Sequence, residues 1–366
     1  MNKKPKVMNG KKQLFSILFV LLLMVLTVVF INSGGDAISF KQFGKLMGKM
    51  KHPLFLIPAI LCVPLAMLSE AFGLRYILKK LGYTPNMRHS VAYASADIYF
   101  SAITPSATGG QPASAYYMTQ KKIPASIATV TLLLNIAQYT LALLVLGVIG
   151  FCIAPETILG AGFTVRFLFF FGFAFNFFFM LACIACMVFP SPCRVIGTLG
   201  IKLLHKLHIL KDREKSEASF ARYLEEYREG FKVILRYPSI WLVTLLTNLT
   251  QRLFMALVAV FLLLADGHFG FHIALLLASQ FLVSVAANSV PIPGAAGVSE
   301  YLYLSVFATV IPSQSIQKAF ALLSRGITHY FNFILCGILT LCFHVFVIKH
   351  KRKERKKRQK EDAPDA

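Results

Sequence analysis

The chain of 366 residues is 56% hydrophobic, with a mean hydropathy of +0.64 and 33 Phe against a single Trp. Soluble globular chains are about 45–50% apolar, so this composition excludes a soluble domain and describes an integral membrane protein. Thirty-eight Lys+Arg against 16 Asp+Glu give a formal charge of +22, and because these bases lie between apolar runs, they fit anionic lipid headgroups and not nucleic acid.

Lys3, Lys4, Lys6, Lys11 and Lys12 precede an apolar run from Leu14 to Ile31. It is longer than a signal-peptide core and lacks a small-x-small cleavage site, so it reads as a retained first span over about 13–31 that starts inside. Residues 32–53 carry Lys41, Lys45, Lys49 and Lys51 about four apart, the pattern of a helix lying in the interface. Span two, about 54–76, contains Pro58, Pro64 and Glu70 and ends in Arg75, Lys79 and Lys80, on the inner side. Residues 86–104 are only moderately apolar, with Asp97 set among Ala, Tyr and Phe, and lead into Gly109-Gly110. The return through residues 113–122 reaches Lys121-Lys122 on the side where the segment began. This predicts a re-entrant helical hairpin entering from inside.

Span three, about 123–150, runs outward, and span four, about 163–189, returns with Arg166 at its outer mouth. The polar stretch 190–238 is dense in Lys, Arg and Glu, amphipathic and short for a catalytic domain, so it reads as a cytoplasmic elbow within a single transmembrane domain, 1–348. Span five, about 239–265, exits. Residues 271–290 re-enter, meet Pro291-Ile292-Pro293-Gly294, and residues 298–311 leave again. A last span, about 318–348, runs into Lys349-His350-Lys351-Arg352-Lys353, the start of a polybasic cytoplasmic tail, 349–366. Parity then places the second hairpin on the outer face and both termini in the cytoplasm. The expected fold is all-α and polytopic: six full spans and two broken hairpins of opposite sense, the mark of an inverted repeat with its site near the midplane. An eight-span reading, with 271–311 as two complete spans, obeys the same parity.

The breaks carry the candidate chemistry. Pro lacks a backbone donor and Gly is a poor helix former, so neither Thr104-Pro105-Ser106-Ala107-Thr108-Gly109-Gly110-Gln111-Pro112 nor Pro291 to Glu300 forms an uninterrupted helix. At the first, Gly109 and Gly110 at a helix start are able to aim backbone N–H groups at a lipid phosphate. The competing reading is a tight turn between packed helices, but Ser101, Thr104, Ser106, Thr108 and Gln111 add polarity that a packing turn does not need. The second break supplies Pro293, Gly294 and Gly297, with Glu300 one turn later. An intramembrane carboxylate is costly and functional by default; Glu300 is suited to a cationic headgroup, to proton exchange, or to pairing with Arg325 or Arg252. Arg325 suits a phosphate, or an ion pair. Asp97, Arg252 and Glu70 are weaker candidates of the same kind, and His329 reads as a packed ring. The seven cysteines lie mostly in apolar runs, and Cys183-x-x-Cys186 has no companion His cluster or second pair, so they read as packing residues. No Walker loop or nucleophile elbow is present; no catalytic residue, metal or cofactor is expected.

Three stretches together resemble one family. Thr104 to Tyr116 is similar to its Pro-Ser-x-x-Gly-Gly-x-Pro motif, Pro291 to Glu300 to its Pro-x-Pro-Gly-Gly-x-Gly-x-x-Glu motif, and Arg325-x-x-x-x-Tyr330 to the Arg/Tyr pattern of its last span. The family is the lysylphosphatidylglycerol synthase transmembrane region, the flippase part of the multiple peptide resistance factor. The resemblance implies a translocase for a polar or aminoacylated phospholipid such as lysyl-phosphatidylglycerol in the bacterial inner membrane, contributing to envelope charge and cationic-peptide resistance. It implies anionic and aminoacylated phospholipids as partners, with a separate lipid-modifying enzyme. In that reading Gly109, Gly110 and Arg325 hold phosphate, Glu300 meets the headgroup, and Tyr330 is a further candidate. Two departures stand out: Ala295 replaces the family's second Gly, and the soluble lysine-transferring domain is expected to be absent. Two alternatives remain at this point, a phosphatidylglycerol lysyltransferase or a subunit of one, and a scaffold docking an envelope enzyme through 190–238.

Overall fold

In hydrocarbon only intrachain hydrogen bonds satisfy the backbone, so the apolar runs become helices and the Pro/Gly breaks must be covered by protein. The computed structural model describes residues 50–104, 107–189, 212–267, 271–290, 298–307 and 314–361, with isolated positions around and between them. Five described helices are long and apolar enough to cross a membrane: Pro53–Lys80, Ala125–Ile153, Phe163–Val188, Pro238–Asp266 and Ile316–Val347. These are expected spans two to six; span one lies outside the described residues, as does the interfacial helix apart from isolated positions.

Helix α1 (Leu56–Lys80) begins behind a 3-10 turn, Pro53–Phe55, whose leading proline needs no donor. Lys79 and Lys80 close it, where cations complement the exposed carbonyls. The first hairpin follows as α2 (Met87–Ile103) and α3 (Gly110–Gln120), which pack on each other, with the break where the proline and glycines predict it. Next come α4 (Ala125–Ile153), the short α5 (Glu156–Leu159) and α6 (Phe163–Val188). Within the polar stretch, α7 (Arg213–Arg236) buries Tyr227, Phe231 and Ile234 against Ile77, Val130, Leu134 and Met187. Two hydrogen bonds anchor α7 to α4: Ser126 Oγ donates to Glu226 Oε2 at 2.5 Å, and Tyr223 OH to Thr129 Oγ1 at 2.8 Å.

Helix α8 (Pro238–Asp266) lies along α1, burying Ala59, Cys62 and Val63 against Val258, Ala259, Leu262 and Leu263. It stops at Gly267, whose φ of 94° is the left-handed cap glycine adopts most readily. The second hairpin is α9 (Phe271–Asn288) and α10 (Val298–Phe307). Helix α9 sits against α4 and α6 through Leu143, Phe169, Leu282, Val285 and Ala286. There Gly172 is needed for close approach, since a Cβ would come within 2.7 Å of the Val285 carbonyl oxygen. The outer face of α6 exposes Phe163, Phe167, Phe171, Phe175 and Phe179, rings stacked at four-residue intervals, as suits a lipid-facing surface.

The final span contains a feature absent from the sequence reading. Helix α11 (Gln314–Arg325) passes through a π-helical turn, Gly326–Phe331, into α12 (Asn332–Glu361), which continues into the basic tail. A π-turn inserts one residue per turn and re-aims the side chains beside it, and such turns concentrate at functional sites. Beyond it, Phe333 stacks on Tyr99 of α2 with ring centroids 4.9 Å apart, tying the last helix to the first hairpin.

Candidate functional site

The first break is built around Asp97. Thr104 ends α2 in extended backbone, φ −114° and ψ 143°. Its hydroxyl donates to the Phe100 carbonyl at 2.7 Å and accepts the Gly109 N–H at 2.9 Å, so that amide is satisfied inside the turn. Ala107 takes φ 54°, a left-handed conformation costly for a residue with a Cβ. Gly110 starts α3 directly over the acid: a Cβ there would overlap the Asp97 carboxylate and the Ser101 hydroxyl and lie 2.5 Å from the Asp97 backbone oxygen. That approach lets Gln111 Nε2 donate to Asp97 Oδ2 at 2.6 Å, while the Ser101 hydroxyl lies 3.2 Å from both Asp97 Oδ1 and the Ala107 carbonyl.

The Asp97 carboxyl lies beside that of Glu70 of α1, and Gln251 Nε2 of α8 donates to Glu70 Oε2 at 2.7 Å. Both carboxyls are buried. The next residue on α8, Arg252, contributes a favourable charge to Glu70 and lays its guanidinium 3.7 Å from the ring centre of Tyr139 on α4. Five helices, α1, α2, α3, α4 and α8, thus converge on one polar cluster.

The second break is built around Glu300. Ala295 adopts φ 50° and Gly297 φ 86°. Glu300 reaches back from the first turn of α10 to accept the Gly297 N–H at 2.6 Å, the acidic half of a capping box, and also accepts from Ser299 Oγ at 2.8 Å. Its other oxygen pairs with Arg325 Nε at 2.9 Å, with side-chain exposures of 1% for Glu300 and 10% for Arg325, so the pair is closed off from solvent. Tyr303 hydrogen-bonds to Ser324 beside it. The π-turn begins immediately after Arg325, and Tyr330 is buried within it, its ring 5.2 Å from His329.

The structure therefore gathers Asp97, Thr104, Gly109, Gly110 and Gln111 at one break and Gly297, Glu300 and Arg325 at the other. Arg252 belongs to the first group and not to Glu300, which resolves the choice of partner that the sequence left open. Ser106, Pro293 and Gly294 lie outside the described residues. Sequence reasoning missed Gln251 and Tyr139. Gln251 carried a signal, an amide beside an arginine in an apolar span; Tyr139 carried none, because one tyrosine in an apolar helix has no local mark.

Comparison with known proteins places these features in context. Residues 13–336 match the family model described as lysylphosphatidylglycerol synthase TM region. A protein of Archaeoglobus fulgidus named UPF0104 membrane protein is 24% identical over 316 residues, covering 84% of this chain and 91% of that one. No solved structure matches the chain. With several membrane-spanning helices, both breaks and the Glu300–Arg325 pair inside the matched residues, this chain belongs to the lysylphosphatidylglycerol synthase transmembrane region family.

Proposed function

We propose that the chain is a flippase-like translocase that moves a polar or aminoacylated phospholipid, such as lysyl-phosphatidylglycerol, between the leaflets of the bacterial inner membrane, with both termini in the cytoplasm. One observation carries the reading: each broken hairpin holds a buried carboxylate bonded to groups of its own turn and tied to a full span by a second ionisable residue. Buried charges at membrane depth are expensive and mark transport routes, and broken helices are where transporters place their sites. In this mechanism the hairpins are the moving parts. A headgroup entering beside α10 competes with Arg325 for Glu300, while the Asp97 cluster meets it at the other break. Thr104, Gln111 and Gly297 hold the turns in register for that exchange, and movement of an aminoacylated lipid outward raises the positive charge of the envelope.

The test is reconstitution of the purified chain in vesicles carrying fluorescent lysyl-phosphatidylglycerol and a panel of other labelled phospholipids, with a membrane-impermeant quencher added outside. Quenching beyond the outer-leaflet fraction, faster than in empty vesicles, is expected. Rates equal to empty vesicles across the whole panel sink the proposal.

A further inference from the structure

Arg252 is the middle residue of the 29 in α8, and Tyr139, on which it stacks, is the middle residue of the 29 in α4. Helices of that length measure about 43 Å, against a hydrocarbon core of about 30 Å, so this contact lies deep in the bilayer. Register is held one turn away, where Asn248 Nδ2 donates to Asn135 Oδ1 at 3.2 Å. Stacking fixes the guanidinium plane, yet its Nε and Nη2 are shielded from solvent and have no acceptor among the described residues. One complete edge of the guanidinium fork, the edge that binds phosphate in two parallel hydrogen bonds, is thus buried without an acceptor among the described residues. Buried donors left unmet are costly and call for an explanation.

Glu70 balances the charge of Arg252 without filling that edge: it accepts from Gln251, and Arg252 Nε and Nη2 have no acceptor among the described residues. Glu70 and Asp97 together bring acidic charge to this cluster, which Arg252 offsets. A simple anion added to Arg252 would leave that negative charge unbalanced. A headgroup bearing both phosphate and ammonium would not. Arg325 is a poorer phosphate site, because seating an anion there breaks its pair with Glu300, whereas seating one on Arg252 breaks no hydrogen bond of the protein.

We propose that Nε–H and Nη2–H of Arg252 dock the phosphate of a phospholipid whose headgroup also carries an ammonium group, which is directed to Glu70 and Asp97; the proposal rests on the translocase reading above. The full chain in detergent is titrated calorimetrically with short-chain phosphatidylethanolamine, short-chain phosphatidylglycerol and inorganic phosphate. Phosphatidylethanolamine is expected to bind tightest. Arg252→Gln should weaken it at least about tenfold, and Arg252→Lys should recover only part, because an ammonium is a point charge without a paired edge. Glu70→Gln or Asp97→Asn should erase the preference for phosphatidylethanolamine over phosphatidylglycerol. Unchanged affinity in an Arg252→Gln protein of wild-type melting temperature overturns the site, as does inorganic phosphate that competes as well as the lipids. Should Arg252→Gln not fold, unchanged affinity in Arg252→Lys overturns it equally. Binding that depends on Arg252 without lipid movement in vesicles keeps the site and removes the translocase. Lipid movement untouched by Arg252→Gln removes the site and keeps the translocase.

Discussion

Replacing Glu300 with Gln tests whether the second break is held by charge. The carboxylate satisfies the Gly297 amide at 2.6 Å and the Ser299 hydroxyl at 2.8 Å, and it neutralises Arg325 at 2.9 Å from a site with 1% side-chain exposure. A glutamine oxygen can still cap Gly297, so the turn keeps one of its bonds. Its amide, however, brings N–H donors toward a guanidinium that has only donors, and leaves a buried cation without its counter-ion. Removing one member of a buried pair costs about 3–5 kcal/mol, much of it from the partner left behind. Arg325→Met should cost a similar amount for the same reason, and the double variant should cost less than the two single losses together, by about 2 kcal/mol or more. Unfolding in mixed micelles followed by far-ultraviolet circular dichroism measures all three. Single variants within about 0.5 kcal/mol of the parent, or losses that add, would refute a charge-held break.

Three further outcomes follow from the geometry. Gly110→Ala pushes a Cβ into the Asp97 carboxylate and its backbone oxygen, so the hairpin must open and the Gln111–Asp97 bond weaken; a loss of about 2–4 kcal/mol is expected as a lowered melting temperature, and an unchanged one counts against the packing. Ala295→Gly should do the reverse. Ala295 sits at φ 50°, a strain of about 1–2 kcal/mol that glycine relieves while regaining about 0.4–1 kcal/mol of unfolded-chain freedom, so a net gain of about 0.5–1 kcal/mol should raise the melting temperature. Phe231→Ala removes a buried ring between α7 and the bundle, a change worth about 3 kcal/mol or more, and trypsin should then cut at Arg222 or Arg228 faster than in the parent; equal cleavage would show that α7 is held elsewhere.

Much of the architecture is local and was therefore legible from residue order. Hydropathy marks each long helix, because a span must satisfy its own backbone over about 20 apolar residues. Pro and Gly mark both breaks, because they act on the backbone at the place where they stand. The acid set among Ala, Tyr and Phe at Asp97, and Glu300 one turn beyond the second break, were visible because a charge in an apolar run needs no alignment to be conspicuous. Even the substitution at Ala295 was visible, although its left-handed backbone was not.

What the amino-acid order alone determined, then, was the membrane class, the helices with their two interruptions, and which residues were out of place in lipid. Only the tertiary structure decided the pairings: Glu300 with Arg325, Glu70 with Asp97, Gln251 on Glu70, and Arg252 over Tyr139. It also revealed the π-turn that follows Arg325. The physical reason is that a pair depends on the rotation and height of one helix relative to another. Those are set by close packing, as where Gly110 admits α3 onto Asp97 and Gly172 admits α9 onto α6, and no periodicity within a single helix encodes them.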